Sequence, residues 1–140
     1  MDSTYKLFLF LHLLGLALGG APAFGHLVIG AVAKRNAASA PFALAAGKLL
    51  GEVGKAGFLA LVISGPVMIW LQWSVMALTT AFWIKMALVL CLVVNIALAN
   101  VAGAKAEGGD ARAAARLGLH AAIGAALMVG LILSAVIAFR

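Results

Sequence analysis

Four ionisable side chains stand within long apolar stretches of the sequence, namely His12, His26, Lys85 and His120. An ionisable group inside a membrane span is destabilising by about 3 kcal/mol or more unless it is paired or faces a cavity, so each such residue predicts a functional site. The ring nitrogens of histidine bind haem iron and copper, and a lysine amine can do so once it has lost its proton. The residue types therefore indicate metal or cofactor binding within a membrane.

The first apolar stretch places its histidines and small residues along one stripe of a helix. Spacings of three and four residues join His12, Gly15, Gly19, Pro22, His26 and Gly30. Small residues let a neighbouring helix approach closely, and they also leave room for a flat ligand. Two interpretations stay open. Either the stripe packs against a helix while its histidines bond to hydroxyl, amide or carbonyl groups, or Gly15 and Gly19 line a bound cofactor.

The depths of the four residues suggest two pairs of metal ligands. His12 lies about seven residues from the outer end of the first span, and Lys85 about six from the outer end of the third, so we expect them to meet at one level. His26 and His120 lie toward the cytoplasmic side and could meet at a second level. Simpler alternatives are that Lys85 extends to the outer surface and that His120 faces cytoplasmic water.

The elements that position these residues are membrane helices. The chain has 140 residues, 66% of them hydrophobic and 10% charged, whereas about a quarter of the residues are charged in a soluble domain. Four apolar segments, at about 5–32, 55–74, 79–102 and 115–139, approach or exceed the roughly 20 residues that a span needs. The sequence predicts one all-α domain, 1–140, an integral membrane four-helix bundle in a lipid bilayer.

The net charge of +6 follows the predicted topology. Seven basic residues lie in or beside the first and third connections: Lys34, Arg35, Lys48, Lys55, Lys105, Arg112 and Arg116. The positive-inside rule therefore predicts that these connections are cytoplasmic and that both termini lie outside the cytoplasm. We expect a multi-pass protein of the inner (plasma) membrane. Because topology accounts for the charge, nucleic acid is not an expected partner.

Two further patterns bear on chemistry. Pro66, after Ser64 and Gly65, should free a backbone carbonyl near residue 62, which needs a new partner in lipid. Asn95 and Asn100 could join helices by hydrogen bonds. Soft donors that suit Cu(I) are also present but scattered: Met68, Met76, Met86, Cys91 and Met128.

Three segments carry a resemblance to a known family. They are FLHLLG at 10–15, ISGP at 63–66 and WIKMALV at 83–89. They resemble the four-helix module shared by the CopD copper-resistance proteins and the HemJ-type protoporphyrinogen oxidases. In the HemJ-type members, a histidine of the first helix and a lysine of the third form the functional pair, associated with haem b. The resemblance assigns those roles to His12 and Lys85.

The expected function is that of a haem b-binding membrane redox protein, acting on a porphyrinogen or in electron transfer. An enzyme of this kind would be an oxidoreductase similar to protoporphyrinogen oxidase. One alternative is copper resistance or transport across the membrane, and another is a structural or assembly subunit without a cofactor. The small-residue faces are compatible with a homodimer or a larger membrane complex.

Overall fold

Four long helices make up the computed structural model, which describes residues 3–72 and 80–138. They are α1 (Ser3–Arg35), α2 (Ala40–Gln72), α3 (Thr80–Glu107) and α4 (Ala111–Ala138). Even a 28-residue helix is about 42 Å long, which exceeds the roughly 30 Å hydrocarbon core of a bilayer. Each helix is long and apolar enough to cross a membrane, and the described residues contain no strand. The predicted all-α, four-helix, multi-pass membrane fold is confirmed.

The helices extend beyond the predicted spans, most of all at the start of α2. Ser39 followed by Pro41 predicts a helix that begins well before the membrane, with Lys48 and Glu52 on a partly solvated stem, and α2 does begin at Ala40. Ser39, the predicted N-cap, immediately precedes α2, but its hydroxyl donates to the Asn36 carbonyl (2.6 Å). The predicted link at 74–78 and the far ends of the second and fourth spans lie outside the described residues.

The connection before α4 is a capped turn. Gly109 has a φ of 93°, a left-handed conformation that glycine adopts without a steric penalty. Asp110 Oδ1 then accepts hydrogen bonds from the backbone N–H groups of Arg112 (2.9 Å) and Ala113 (3.1 Å). Asp110 is therefore the N-cap that starts α4.

The helices pack as two hairpins. α1 lies along α2, α3 lies along α4, and α1 also contacts α4 and so joins the hairpins. At one end of the bundle, which we call the basic end, lie the connections at 36–39 and 108–110. There Lys48 of α2 forms an ion pair with Glu107 of α3 (3.0 Å). The orientation of the basic end toward the cytoplasm stays a prediction.

Glycine brings the backbones of α1 and α2 into contact. Gly57 is buried, and a Cβ added there would lie 2.8 Å from the Gly15 carbonyl oxygen and would also collide with the Gly19 nitrogen. A Cβ on Gly54 would lie 2.7 Å from Pro22 Cγ. The face of the α1 stripe that carries these residues is thus covered by α2 rather than left open for a flat ligand.

Candidate functional site

His12 is held by a hydroxyl group of the neighbouring helix. Its Nδ1 lies 2.9 Å from Ser64 Oγ, and the same oxygen lies 2.6 Å from the Ala60 carbonyl oxygen. A carbonyl can only accept, so the single hydroxyl hydrogen of Ser64 is donated to Ala60. Ser64 then accepts from His12, whose Nδ1 must carry the hydrogen. In the neutral ring Nε2 keeps its lone pair. Nε2 is therefore the atom that a metal ion would bind.

The surroundings of His12 show why the local sequence is suited to this contact. Ser64 is completely buried, and a Cβ added at Gly65 would lie 3.6 Å from His12 Cε1, so the ring lies against the backbone of α2. The Ser64 hydroxyl bonds to the carbonyl of Ala60, one turn earlier, and not to the carbonyl of residue 62 that Pro66 was expected to free. The hydroxyl positions the histidine instead.

Lys85 lies on α3, in the other hairpin, and is half-buried. That it meets His12 at one level stays a prediction. No hydrogen bond joins His12 to Lys85 in the described ranges. That the two bind one cofactor stays a prediction.

His26 is bonded entirely within the first hairpin. Its Nδ1 lies 2.7 Å from the Pro22 carbonyl oxygen and its Nε2 lies 3.2 Å from that of Gly47. A neutral imidazole has one N–H and both neighbours are acceptors, so the shorter contact is the better hydrogen bond. Both ring nitrogens thus face backbone carbonyls. This arrangement is the one expected if the stripe packs against a helix and its histidines bond to carbonyl groups.

His120 is bonded within the second hairpin. Asn95, which is 8% exposed, donates from Nδ2 to the His120 carbonyl (3.0 Å), and Asn95 Oδ1 lies 2.9 Å from His120 Nδ1. The predicted role of Asn95 in joining helices is confirmed. His120 is half-buried, with Nδ1 bonded to α3, and the alternative in which its exposed side faces water stays a prediction. Asn100 is exposed and forms no side-chain hydrogen bond within the described segments.

The structure does not bring the inner pair together, since His26 bonds between α1 and α2 and His120 bonds between α3 and α4. Among the described residues, no group of three or more His, Cys, Asp or Glu side chains could hold a metal ion. Met128 is 2% exposed and packs beside Gly20, while Cys91 is exposed. Met76 lies outside the described residues.

Two apolar grooves open on the surface of the bundle. One, of about 430 Å³, lies between α1 and α4, and Gly20, Phe24 and Met128 are among the residues that line it. The other, of about 370 Å³, lies between α3 and α4, and its lining includes Asn95 and His120. Only the second groove combines apolar walls with a histidine.

His12 and His120 share one arrangement, in which Nδ1 is bonded to a polar side chain of the adjacent helix. This was not predicted, although Ser64 and Asn95 were both singled out in the sequence. A signal was present, since each is a polar residue in an apolar helix and has to find a partner. Comparison with models of known protein families, with curated proteins and with solved structures finds no match.

Proposed function

We propose that this protein is a haem b-binding membrane redox protein in which His12 binds the iron through Nε2. One observation carries the proposal: the Ser64–Ala60 hydrogen bond makes Ser64 an acceptor for His12 Nδ1. A histidine that binds a metal almost always donates its other N–H to a fixed acceptor, which sets the tautomer and the orientation of the ring. The resemblance drawn from the sequence assigns the second nitrogen donor to Lys85.

The donor set fits haem iron. A neutral imidazole and a neutral amine are nitrogen ligands that iron accepts. Lys85 is the proposed second ligand. Gly15 and Gly19 have a different role from the one expected, because α2 covers them; they allow the close approach that places Ser64 against His12. When bound, the cofactor would supply one-electron redox chemistry.

The visible spectrum of the protein purified in detergent tests the proposal. We expect a Soret band after expression with adequate haem or after reconstitution. His12→Ala should abolish or shift it, Lys85→Ala should alter it, and Ser64→Ala should weaken haem affinity by about 10- to 100-fold, the usual effect of losing such a partner. His26→Ala is the matched control and should leave the band unchanged. A reconstituted wild-type protein without a Soret band would overturn the proposal.

The reaction and location are part of the same proposal. Oxidation of protoporphyrinogen to fluorescent protoporphyrin by the haem-loaded protein would indicate an oxidoreductase, and reversible haem reduction alone would indicate electron transfer. We propose the inner membrane, with the basic end in the cytoplasm. Reporter fusions at both termini should give a periplasmic or extracellular signal. Copper transport and a cofactor-free assembly role remain the rival functions, and metal analysis and co-purification of a larger partner test them.

A further inference from the structure

The hydrogen bonds between Asn95 and His120 determine which ring nitrogen of His120 carries the hydrogen. The His120 carbonyl can only accept, so Asn95 turns Nδ2 toward it and Oδ1 toward the ring. Oδ1 can also only accept, so His120 Nδ1 donates to it. In the neutral ring Nε2 is consequently a bare acceptor, and no hydrogen bond engages it within the described residues.

A groove lined in part by His120 lies between α3 and α4. Leu90, Val94 and Leu98 form one wall and are each half or more exposed, and Ile123 lies on the other. The groove is shallow and open, with a volume of about 370 Å³, and has only a few polar groups to orient a ligand.

The predicted fourth span, 115–139, places His120 inside the hydrocarbon region. His120 lies five residues from the cytoplasmic end of that span, or roughly 7.5 Å at ~1.5 Å per residue. A molecule that reaches it from the side must be soluble in lipid.

We propose that the groove between α3 and α4 binds a membrane-soluble phenol, a class that includes quinols, whose hydroxyl donates a hydrogen bond to His120 Nε2. A bare acceptor selects a donor, and an ether or a quinone carbonyl offers none. A phenolic hydroxyl is more acidic than an alkyl one and therefore donates a stronger hydrogen bond. The apolar walls contact the ring and its substituents. The site does not depend on haem binding at His12.

The chain provides its own control. His26 lies nine residues from the basic end of α1 at Arg35, the depth of His120 in α4. Both of its ring nitrogens face carbonyls, and the residues that line the groove do not include it. His26 and His120 lie at the same distance from the basic end but differ in the bonding of Nε2. A variant of each therefore separates recognition by a free Nε2 from a general effect of losing a histidine in the membrane.

The test uses two probes that differ by one hydrogen-bond donor, 4-octylphenol and its methyl ether 4-octylanisole. Binding to the full-length protein, labelled with ¹⁵N-histidine in nanodiscs, is followed by NMR of the ring nitrogens. We expect octylphenol to shift the unprotonated Nε2 signal of His120 and to bind about fivefold to tenfold more tightly than octylanisole, the ratio that one net hydrogen bond provides. His120→Phe should remove this preference, and His26→Phe should keep it.

Asn95→Leu tests the tautomer itself. Without the amide, Nε2 can carry the hydrogen, so the affinity for a quinone relative to the corresponding quinol should rise; decylubiquinone and decylubiquinol are the probes.

Displacement of octylphenol by decylubiquinol would place quinols among the ligands, and failure to displace it would restrict the site to other phenols. Equal affinity of the wild type for octylphenol and octylanisole would overturn the proposal, even if every variant misfolds. A Soret band altered by His120→Phe would also overturn it, because Nε2 would then bind iron.

Discussion

Both hairpins bond a histidine of one helix to a polar side chain of the other, but they use different partners and pack differently. In each, a histidine of one helix donates from Nδ1 to a polar side chain of the other, His12 to Ser64 and His120 to Asn95. The first hairpin achieves contact through glycine, so its backbones touch at Gly57. In the second, glycines of α4 meet side chains of α3, because a Cβ added at Gly124 would lie 3.4 Å from Asn95 Nδ2 and one at Gly130 would lie 3.7 Å from Leu88 Cδ1. His120 lines a groove in this hairpin.

The difference shows what glycine contributes to a membrane protein. Lipid tails are as apolar as leucine side chains, so helices in a bilayer associate through packing and interhelical hydrogen bonds rather than through the hydrophobic effect. Where glycines of two helices meet, backbone contact leaves no space for a ligand between the helices. Where a glycine meets a side chain instead, as Gly124 meets Asn95, the backbones do not touch at that point. The proposed ligand groove lies in the second hairpin, whereas the first brings His12 against Ser64.

The largest expected effect comes from breaking the glycine contact. Gly57→Ala places a methyl group against the Gly15 carbonyl and the Gly19 nitrogen, and backbone cannot yield as a flexible side chain can. We expect a loss of about 1–3 kcal/mol in the free energy of unfolding, measured by denaturant titration in detergent. Gly51→Ala, in the same helix but with open space around it, should not destabilise the protein. Equal stability of the two variants would refute the contact.

A smaller effect is expected from Asn95→Ala in the second hairpin. This change removes two interhelical hydrogen bonds, from Nδ2 and to Oδ1. Interhelical hydrogen bonds in membranes average about 0.6 kcal/mol each, so we expect a loss of about 1–2 kcal/mol in unfolding free energy. Asn100→Ala is the control on the exposed side of α3 and should be neutral. If both asparagines prove neutral, the Asn95 pair contributes nothing to stability.

The smallest effect is expected from Ser64→Ala, because only one interhelical hydrogen bond is lost. About 0.6 kcal/mol is the expected reduction in unfolding free energy, since the glycine contacts of this hairpin remain. Ser134→Ala is matched to it, because the Ser134 hydroxyl bonds only within its own helix, to Leu131 (2.8 Å). The ¹⁵N signals of His12 should also change in Ser64→Ala and not in Ser134→Ala. Unchanged His12 signals in Ser64→Ala would contradict the tautomer assigned here.

The sequence by itself determined the number and position of the membrane helices. Hydropathy suffices for this because a bilayer acts on each segment separately, through its length and composition. The early start of α2 was also readable, since Ser39 followed by Pro41 predicts a helix that begins well before its membrane span, and α2 does begin at Ala40. Depth along each helix was also readable from the sequence, and the meeting of His12 with Lys85 that it implies stays a prediction.

Only the tertiary structure decided which face of each helix meets which neighbour. A helix that is apolar all round has no polar face to indicate its orientation, so nothing in the sequence paired His120 with Asn95 rather than with His26. The partners follow from which helices approach closely, and that depends on small residues in two segments meeting at the same height. Gly57 meets Gly15 and Gly19 in this way, and with that contact made, Ser64 lies beside His12.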